Sequence, residues 1–531
     1  MRLIILLVVW FVTAPSAMAF QIQVSIGKAY LRPVSLTANK KPLVECLREI
    51  CKQARVELEP DHTALLEMKL NLDEPRTITF TDIRLYDAIP RLVPAKDHPG
   101  VVHRLRRGKL VVTSATAYLK HQASLIPDWL PANRVNHIND EDRIQIVSIH
   151  DEDDDSVMNR LAELPGLTEI HLNHTQGLTL VGLESLANCK SLIKLSMNGI
   201  GRPANPDSKW TSDEALFAIS KIATLEHLQA NDCGISDAGL EHLASLKQLE
   251  FLSLRQNQIK GDGLKSLAGL KKLKSLDFGC HVSSAIYGKN EITDEHIKHI
   301  EGLQQLIYLG IEGLNVTAHK LNFPRLRSLT LGSAFKPKLL DNKALGNLLR
   351  YKDLRHLTVK SDTVTDAGIA LISNLKTLGS LELHCRSVTD NGIATITGLP
   401  LTHLELRRVE LTDEGLRHIS TIKTLERISI FAGMDRTTVE GFQQFKSLPK
   451  LDTLWLHGFR GKHDYRGFGE LKQLRSLFFE MADLANWTQL DLDQLGESLP
   501  NARVNLGTGG GTYGPKNQNG GGFGRTIPLR P

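Results

Sequence analysis

Three consecutive stretches decide the fold of this chain: VTDAGIALISNLKTLGSLEL at 364–383, VTDNGIATITGLPLTHLEL at 388–406 and LTDEGLRHISTIKTLERISI at 411–430. Each begins with Val or Leu followed by a Thr-Asp pair, continues with leucines or isoleucines three to four residues apart, and ends in an LxxLxL-like segment. A spacing of three to four predicts one face of a helix, and alternation at every second residue predicts a strand. Each copy therefore predicts one helix followed by one strand.

The LxxLxL segment recurs along most of the chain, with most copies starting 23–26 residues apart. The clear copies begin at Leu167, Leu192, Leu225, Leu249, Leu273, Leu306, Leu326, Leu354, Leu378, Leu401, Leu425, Leu451 and Leu474. Degenerate copies lie at 143–149 and 501–506. No single unit of this size can bury its own apolar side, so the units are expected to stack on one another.

This spacing is typical of leucine-rich repeats, and the TDxGLxxLxxLxxL pattern resembles the cysteine-containing subclass and related bacterial repeats over 144–506. The resemblance implies an α/β solenoid with a parallel β-sheet on the concave face and helices on the convex face. The Thr or Ser of each TD or SD pair is expected to cap the following helix. The DEDDD run at 151–155 aligns with these pairs, and we interpret it as a degenerate cap with surplus surface charge.

The two ends of the chain differ from the repeats. MRLIILLVVWFVTAPSAMAF has a positive start, an apolar run and an A-x-A site, which predicts a signal peptide at 1–19 cleaved before Phe20. No later stretch is apolar enough to span a bilayer. We therefore expect a bacterial protein that is exported to the periplasm or cell surface. The Gly-rich end at 507–531 is predicted to be a disordered tail.

Residues 20–118 carry no repeat, and their apolar spacing predicts a small α+β domain. The stretches KPLVECLREICKQARVELEPD, ITFTDIRLYDAIPRLV and GKLVVTS resemble the short N-terminal domain of secretins and TonB-dependent receptors. That resemblance implies a βαββαββ module that mediates protein contacts in the cell envelope. Residues 119–143, which include Pro127 and Pro131, are predicted to be a linker.

The composition and the motifs exclude several function classes. A net charge of +5 over 531 residues is too small for a nucleic-acid binder, which needs a concentrated basic face. The six cysteines are scattered and predict buried free thiols rather than a disulfide framework. The sequence has no P-loop, GxSxG, HExxH or CxxC motif. We predict no cofactor, no metal site and no enzymatic activity.

Candidate binding residues follow from the strand register. In each LxxLxL unit the fifth and seventh positions point outward, and neighbouring parallel strands place equal positions about 4.8 Å apart in rows. The predicted partner-binding residues are Glu382, His384, Glu405, Arg407, Phe431, Trp455, His457, Phe478 and Glu480. Aromatic side chains beside charges on an outward face are typical of a binding surface. The fifth-position row of the earlier repeats is blander, from Ser253 to Thr358.

Three interpretations of this face remain open. In the first, the face binds a protein or a glycan. In the second, Glu382 and Glu405 form a carboxylate pair that hydrolyses a glycan, for which a separation near 5 Å is suitable. In the third, the aromatic side chains only pack against the C-terminal tail or cap. The favoured hypothesis is a non-enzymatic scaffold that recognises a protein through the concave face.

Overall fold

A computed structural model gives the structure of the protein. The described residues are 4–6, 23–25, 33–507 and 525–526, except 68–69, 71, 94–100, 107–108, 140, 174, 176, 201–209, 281–288, 318–320, 334–339, 432–433, 460–464, 481–488 and 500. Most of the predicted signal peptide and tail lie outside these residues. The chain divides into two compact units, Met1–Gly201 with Asn205–Leu228, and Gln229–Pro531 with Arg202–Ala204.

The first unit begins with short strands and a small α+β domain. In chain order the elements are β1 (Ile4–Leu6), β2 (Gln23–Ser25), β3 (Pro33–Pro42), α1 (Leu43–Gln53), β4 (Glu57–Pro60), α2 (His62–Glu67), β5 (Pro75–Arg84), α3 (Leu85–Leu92), β6 (Val101–Arg106) and β7 (Lys109–Ser114). Strands β1 and β2 pair with each other, and β3 pairs antiparallel with β5. Strand β7 lies between β4, to which it is parallel, and β6, to which it is antiparallel.

The small domain has its own apolar core. Leu43, Leu47 and Ile50 recur along one face of α1, are fully buried, and share a cluster with Leu85 and Ile89 of α3. This is the periodicity that predicts an amphipathic helix. The elements follow one another as β-α-β-α-β-α-β-β, which differs from the predicted order of strands and helices by the short helix α2.

The rest of the first unit starts the repeats. Its elements are α4 (Ala115–Ser124), β8 (Val135–Ile138), β9 (Ile144–Ser148), α5 (Asp155–Arg160), β10 (Glu169–His171), α6 (Leu180–Ser185), β11 (Lys194–Ser196), α7 (Ser212–Ile219) and the start of β12 (His227–Gln229). Short 3-10 helices at Ala132–Arg134, Leu161–Glu163 and Leu186–Asn188 complete the turns. Strands β9, β10 and β11 are parallel and in register, and β8 adds antiparallel to β9. The segment expected to be a linker therefore contributes a strand to the repeat sheet.

The acidic run before α5 combines a helix cap and exposed carboxylates with one buried carboxylate, Asp153. Arg134 is 2% exposed, and its Nε donates to Asp153 Oδ2 over 2.6 Å. Its Nη2 donates to Glu152 Oε1 over 2.6 Å. Asp154 caps α5 by accepting from the Ser156 N–H over 2.9 Å. The interpretation of this run as surface charge was wrong for Asp153, because a buried guanidinium needs a buried carboxylate.

The second unit continues the repeats. Its strands are β13 (Phe251–Ser253), β14 (Ser275–Asp277), β15 (Tyr308–Gly310), β16 (Ser328–Ser333), β17 (His356–Ser361), β18 (Ser380–His384), β19 (His403–Arg407), β20 (Arg427–Phe431), β21 (Thr453–His457), β22 (Ser476–Glu480), β23 (Arg503–Gly507) and β24 (Arg525–Thr526). Strands β13 to β23 pair in order, all parallel. Strand β24 pairs antiparallel with β23.

Helices connect these strands. They are α8 (Asp237–Leu243), α9 (Asp294–Ile297), α10 (Asn342–Gly346), α11 (Asp366–Ile372), α12 (Asp390–Thr395), α13 (Asp413–Ile419), α14 (Val439–Gln443) and α15 (Gln489–Ser498). 3-10 helices lie at Asp262–Gly269, Lys298–Ile300, Asn347–Arg350, Gln444–Ser447 and Tyr465–Glu470. The leucines of strands and helices form the buried core between the two layers, and the burial of strands β18 to β22 alternates along each strand. This is an α/β leucine-rich-repeat solenoid preceded by a small α+β domain.

Besides the backbone bonds of the sheet, a row of side-chain hydrogen bonds joins the N-terminal ends of successive helices. In the TD pairs the aspartate reaches the next repeat: Asp366 Oδ1 accepts from the Thr389 N–H over 2.8 Å, and Oδ2 accepts from its hydroxyl over 2.7 Å. The same two bonds join Asp294 to Thr317, Asp390 to Thr412 and Asp413 to Thr438. Asn342 makes the equivalent pair of bonds to Thr365. We call this series the Asp–Thr ladder.

The ladder explains the glycine of the TDxG pattern. A Cβ built on Gly392 would lie 2.4 Å from Asp366 Oδ1, and one on Gly415 would lie 2.1 Å from Asp390 Oδ1. A side chain at this position would displace the carboxylate from its bonds to the threonine. Thr, Asp and Gly in TDxG thus serve one junction between repeats rather than three separate roles.

Candidate functional site

Five neighbouring strands carry the predicted binding residues in two rows. In the fifth-position row, Glu382, Glu405, Ser429, Trp455 and Phe478 are successive register partners. In the seventh-position row, the successive partners are His384, Arg407, Phe431, His457 and Glu480. The structure thus brings the nine predicted residues onto one face, here called the candidate face. The repeat period sets this arrangement, because each strand starts at the same position of its unit.

Aromatic side chains form a stack on strands β20 to β22. The ring centroids of Phe431 and Trp455 are 5.5 Å apart, as are those of Trp455 and Phe478. The imidazole of His457 lies 5.3 Å from the Phe431 ring. Each ring is partly buried by its neighbours rather than fully exposed. Tilted rings at this separation attract one another, so the stack holds a fixed shape before any partner arrives.

The indole of Trp455 has an unusual environment. Its Nε1 is buried and has no hydrogen-bond partner among the residues that the structure describes. A buried donor without an acceptor costs about 1–3 kcal/mol. Such a group in an otherwise well-packed repeat marks Trp455 as a position that packing alone does not explain.

Charged side chains continue the face on strands β18 and β19. His384 Nε2 lies 2.6 Å from Glu382 Oε1 and 4.0 Å from Glu405 Oε1. Arg407 Nε donates to Glu405 Oε1 over 2.5 Å, and its guanidinium carbon lies 3.7 Å from the centroid of Phe431. Arg407 therefore joins the charged cluster of Glu382, His384 and Glu405 to the aromatic stack through a cation–π contact.

The charged cluster shifts the acidity of Glu382. Burial alone would raise its pKa, but the hydrogen bond and charge of His384, with Lys360 and Thr358, outweigh burial and lower the pKa to about 2. The general acid of a glycoside hydrolase needs a raised pKa so that it holds a proton near neutral pH. Glu382 is shifted in the opposite direction, which makes it unsuited to that role.

The charged network extends beyond the predicted residues. Arg255 Nη1 donates to Asp277 Oδ2 over 2.9 Å, and Arg255 Nη2 to Glu312 Oε2 over 3.3 Å. Lys360 Nζ donates to Glu312 Oε1 over 2.9 Å, and the Tyr308 hydroxyl donates to Asp277 Oδ2 over 2.9 Å. Burial on its own would lower the pKa of Arg255, but the charges of Asp277 and Glu312 raise it. These residues are half-buried or buried and form a network of ion pairs. This part of the face is therefore charged rather than made of small, uncharged side chains.

The sequence contains a signal for this extension. Arg255, Glu312 and Lys360 occupy the seventh position of their own units, so reading that row along every repeat finds them. Their pairing also depends on Gly279, at the seventh position between Arg255 and Glu312. A Cβ on Gly279 would lie 2.6 Å from Arg255 Nη1. The glycine leaves the space that lets two side chains bond across an intervening strand.

Cysteine chemistry is absent from the face. All six cysteines are free and buried, as the sequence predicts. Burial raises the pKa of Cys51 and Cys385 to about 12 and that of Cys189 to about 11. Since the thiolate is the reactive form, these three thiols are poor nucleophiles at neutral pH.

The geometry defines the class of protein. The strands of the repeats are parallel and in register, and each is followed by a helix or turn in the opposite layer. This is the architecture of a leucine-rich-repeat protein. A leucine rich repeat family model matches residues 247–268. No curated protein matches the chain. Among the described residues, none of the helices combines the length and apolar character needed to cross a bilayer.

Several solved structures are similar in part. An internalin from Listeria monocytogenes is 18% identical over 67% of this chain and 93% of its own, with a TM-score of 0.42. A leucine-rich-repeat protein from Leptospira interrogans is 17% identical over 65% of this chain and 91% of its own, with a TM-score of 0.38. A chain of the yeast Rad7 and Elc1 complex is 17% identical over 63% of this chain and 82% of its own, with a TM-score of 0.43. At these values no function is transferred to this chain.

Proposed function

We propose that this chain is an exported, non-enzymatic scaffold that binds a protein partner through the candidate face on the concave side of its repeats. The supporting observation is the aromatic stack of Phe431, Trp455 and Phe478, partly exposed and continuous with Arg407. Aromatic side chains and arginine are the residue types that dominate binding energy at protein interfaces. The ring contacts within the stack restrict its side chains, so little conformational entropy is lost when a partner docks.

The charges of the candidate face favour a partner that brings apolar and polar groups rather than a highly charged one. Glu382 is paired with His384, and Glu405 with Arg407. Farther along the same sheet, Glu312 is paired with Arg255 and Lys360. A strongly acidic or basic segment would have to displace these pairs, whereas an aliphatic or aromatic segment can cover the stack directly.

The matched variants Trp455→Ala and Thr330→Ala test this proposal. Thr330 lies on the outward side of β16, on the same sheet but away from the stack. Proteins from an envelope extract are captured on the full-length chain and on each variant, and quantified by mass spectrometry. A partner retained by the wild type and by Thr330→Ala but lost by Trp455→Ala is then purified, and its affinity for all three proteins is measured.

Truncating an interface anchor costs about 2 kcal/mol or more, so Trp455→Ala is expected to weaken binding by roughly thirtyfold. Equal losses from both variants would show that the candidate face is not the site.

A glycan ligand is the second candidate, favoured by the aromatic faces of Trp455 and Phe478, on which a sugar ring can stack. Against it, a carboxylate oxygen of Glu382 and one of Glu405 are already bonded to His384 and Arg407. A glycan array probed with the wild type and Trp455→Ala separates the two candidates. Selective glycan binding lost in Trp455→Ala would replace the protein partner with a sugar.

Export is a separate part of the proposal and rests on the A-x-A site before Phe20. N-terminal sequencing of the protein recovered from its native host is expected to begin at Phe20. A protein that retains Met1 would contradict cleavage, but would leave the binding proposal unaffected.

A further inference from the structure

Glu382, His384 and Glu405 bring three possible metal ligands together. Glu382 and His384 are two residues apart on β18, and Glu405 is the register partner of Glu382 on β19. One carboxylate oxygen of each glutamate and one imidazole nitrogen of His384 all lie within 4.8 Å of one another. No other trio of His, Cys, Asp or Glu side chains in the described part of the chain meets this geometry. Both strands are internal to the sheet, so their backbones hold the ligands at fixed spacing.

We propose that these three side chains form a Zn²⁺ site. Zinc binds imidazole nitrogen and carboxylate oxygen at about 2.0–2.2 Å, which places neighbouring ligands of a tetrahedral site roughly 3.3 Å apart. His384 Nε2 is 2.6 Å from Glu382 Oε1 and 4.0 Å from Glu405 Oε1. The two separations lie on either side of the required value. The two glutamate oxygens lie within 4.8 Å of each other, so adjustment of the side chains, rather than of the strands, is what the proposal requires.

The ligand set favours zinc over the common hard cations. Calcium and magnesium prefer oxygen ligands alone, whereas an imidazole with carboxylates suits zinc. Two carboxylates also supply the two negative charges that neutralise the ion. Three protein ligands leave a fourth position open, so this site differs from the closed four-ligand sites that zinc uses for structure alone.

Neighbouring side chains orient the ligands. The Thr358 hydroxyl donates to Glu382 Oε2 over 3.1 Å, which leaves Oε1 directed at His384. Arg407 Nε holds Glu405 Oε1. Outer contacts of this kind fix ligand orientation in metal sites. The positive charge of Arg407 also opposes the ion, so Glu405 is the ligand that must turn most for the metal to bind.

Zinc titration of the purified full-length chain tests the site, with isothermal calorimetry and competition against a chromophoric chelator. The wild type is expected to bind one Zn²⁺ more tightly than its background of surface histidines. His384→Ala is expected to lose that site, and Glu382→Gln to weaken it at least tenfold, since even outer contacts are worth about 10–100-fold. His457→Ala is the matched control, because His457 lies in the same row but contacts Phe431. It is expected to titrate as the wild type does.

Cobalt gives a second readout that does not depend on stability. Co²⁺ bound by the three side chains is expected to show a d–d absorption spectrum in the wild type and in His457→Ala, and to lose it in His384→Ala. Far-UV circular dichroism of each metal-free variant checks that it is folded. An unchanged zinc isotherm in folded His384→Ala and Glu382→Gln would overturn the proposal. No partner is present in the titration, so its failure is distinguishable from failure of the proposed protein-binding function.

Discussion

Asp390 binds a residue of the following repeat rather than one of its own: its carboxylate accepts the backbone N–H of Thr412 over 3.0 Å and the hydroxyl of the same threonine over 2.5 Å. Thr412 in turn accepts the N–H of Glu414 at the start of the next helix. One aspartate therefore fixes the residue that caps the neighbouring helix. The stability of each repeat is coupled to the next through this junction.

Removing the carboxylate should break the junction. Asp390→Ala is expected to lower the free energy of unfolding by about 1–3 kcal/mol, because the N–H and hydroxyl of Thr412 lose their acceptors. Asp390→Asn is expected to have a much smaller effect, since Asn342 already makes the equivalent bonds to Thr365. Urea denaturation followed by circular dichroism measures both. An equal loss in the two variants would show that the charge, rather than the pair of bonds, stabilises the junction.

Adding a methyl group at the glycine of the junction should have a similar cost. Gly415→Ala places a Cβ 2.1 Å from Asp390 Oδ1 and is expected to destabilise the protein by about 1–3 kcal/mol. Gly398→Ala is the matched control, because nothing lies within 4 Å of a Cβ there. Its melting temperature is expected to stay the same or rise slightly. If both alanines behave alike, close packing against Asp390 is not the reason for the glycine.

Truncating Trp455 should affect stability less than truncating its buried neighbour. Trp455→Ala removes contacts to two rings, worth about 0.5–1.5 kcal/mol each. Leu454→Ala empties a fully buried core position and is expected to cost about 2–5 kcal/mol. Thermal denaturation compares the two variants. A larger loss from Trp455→Ala would indicate that the aromatic stack serves packing rather than binding.

Glu382 should contribute a defined part of the acid sensitivity. Its folded pKa of about 2 lies below the value of about 4.3 expected in the unfolded chain. Between these values the unfolded chain takes up a proton that the folded protein does not, so stability falls as the pH falls through this window. Glu382→Gln should therefore show a shallower decline of the urea midpoint from pH 4.5 to pH 2. The exposed substitution Glu410→Gln serves as the control, and an equal slope in wild type and Glu382→Gln would contradict the expectation.

The buried cysteines should resist modification while the protein is folded. All six are buried, and burial raises the pKa of the thiols of Cys51, Cys189 and Cys385. A thiol reagent at neutral pH is therefore expected to react slowly with the native protein. In denaturant, the same reagent is expected to react with all six thiols. Rapid labelling of one cysteine in the folded protein, located by mass spectrometry, would contradict this.

The sequence predicts the candidate face well because the repeat period alone determines the strand register. Glu382 and Glu405 are 23 residues apart in sequence, yet equal positions in LxxLxL make them partners. The repeat period cannot predict which side chains extend far enough to contact one another. Arg255 and Glu312 bond across a strand only because Gly279 leaves room, and the rings around Trp455 cover one another so that none is fully exposed. Strand β8 was also missed, because it joins β9 antiparallel and lies outside the repeat pattern.

The Asp–Thr ladder runs without interruption from Asn342 to Thr438, and at the next position a valine, Val439, replaces the aspartate. Glu382 and Glu405 therefore lie on strands that are clamped at their helix ends as well as through their backbones. Trp455 and Phe478 lie beyond the last clamp. Under load from a docked molecule, we expect the strands of the clamped repeats to resist separation more strongly than the repeats that follow Val439, whose side chain lies against Gly467 in place of the two bonds.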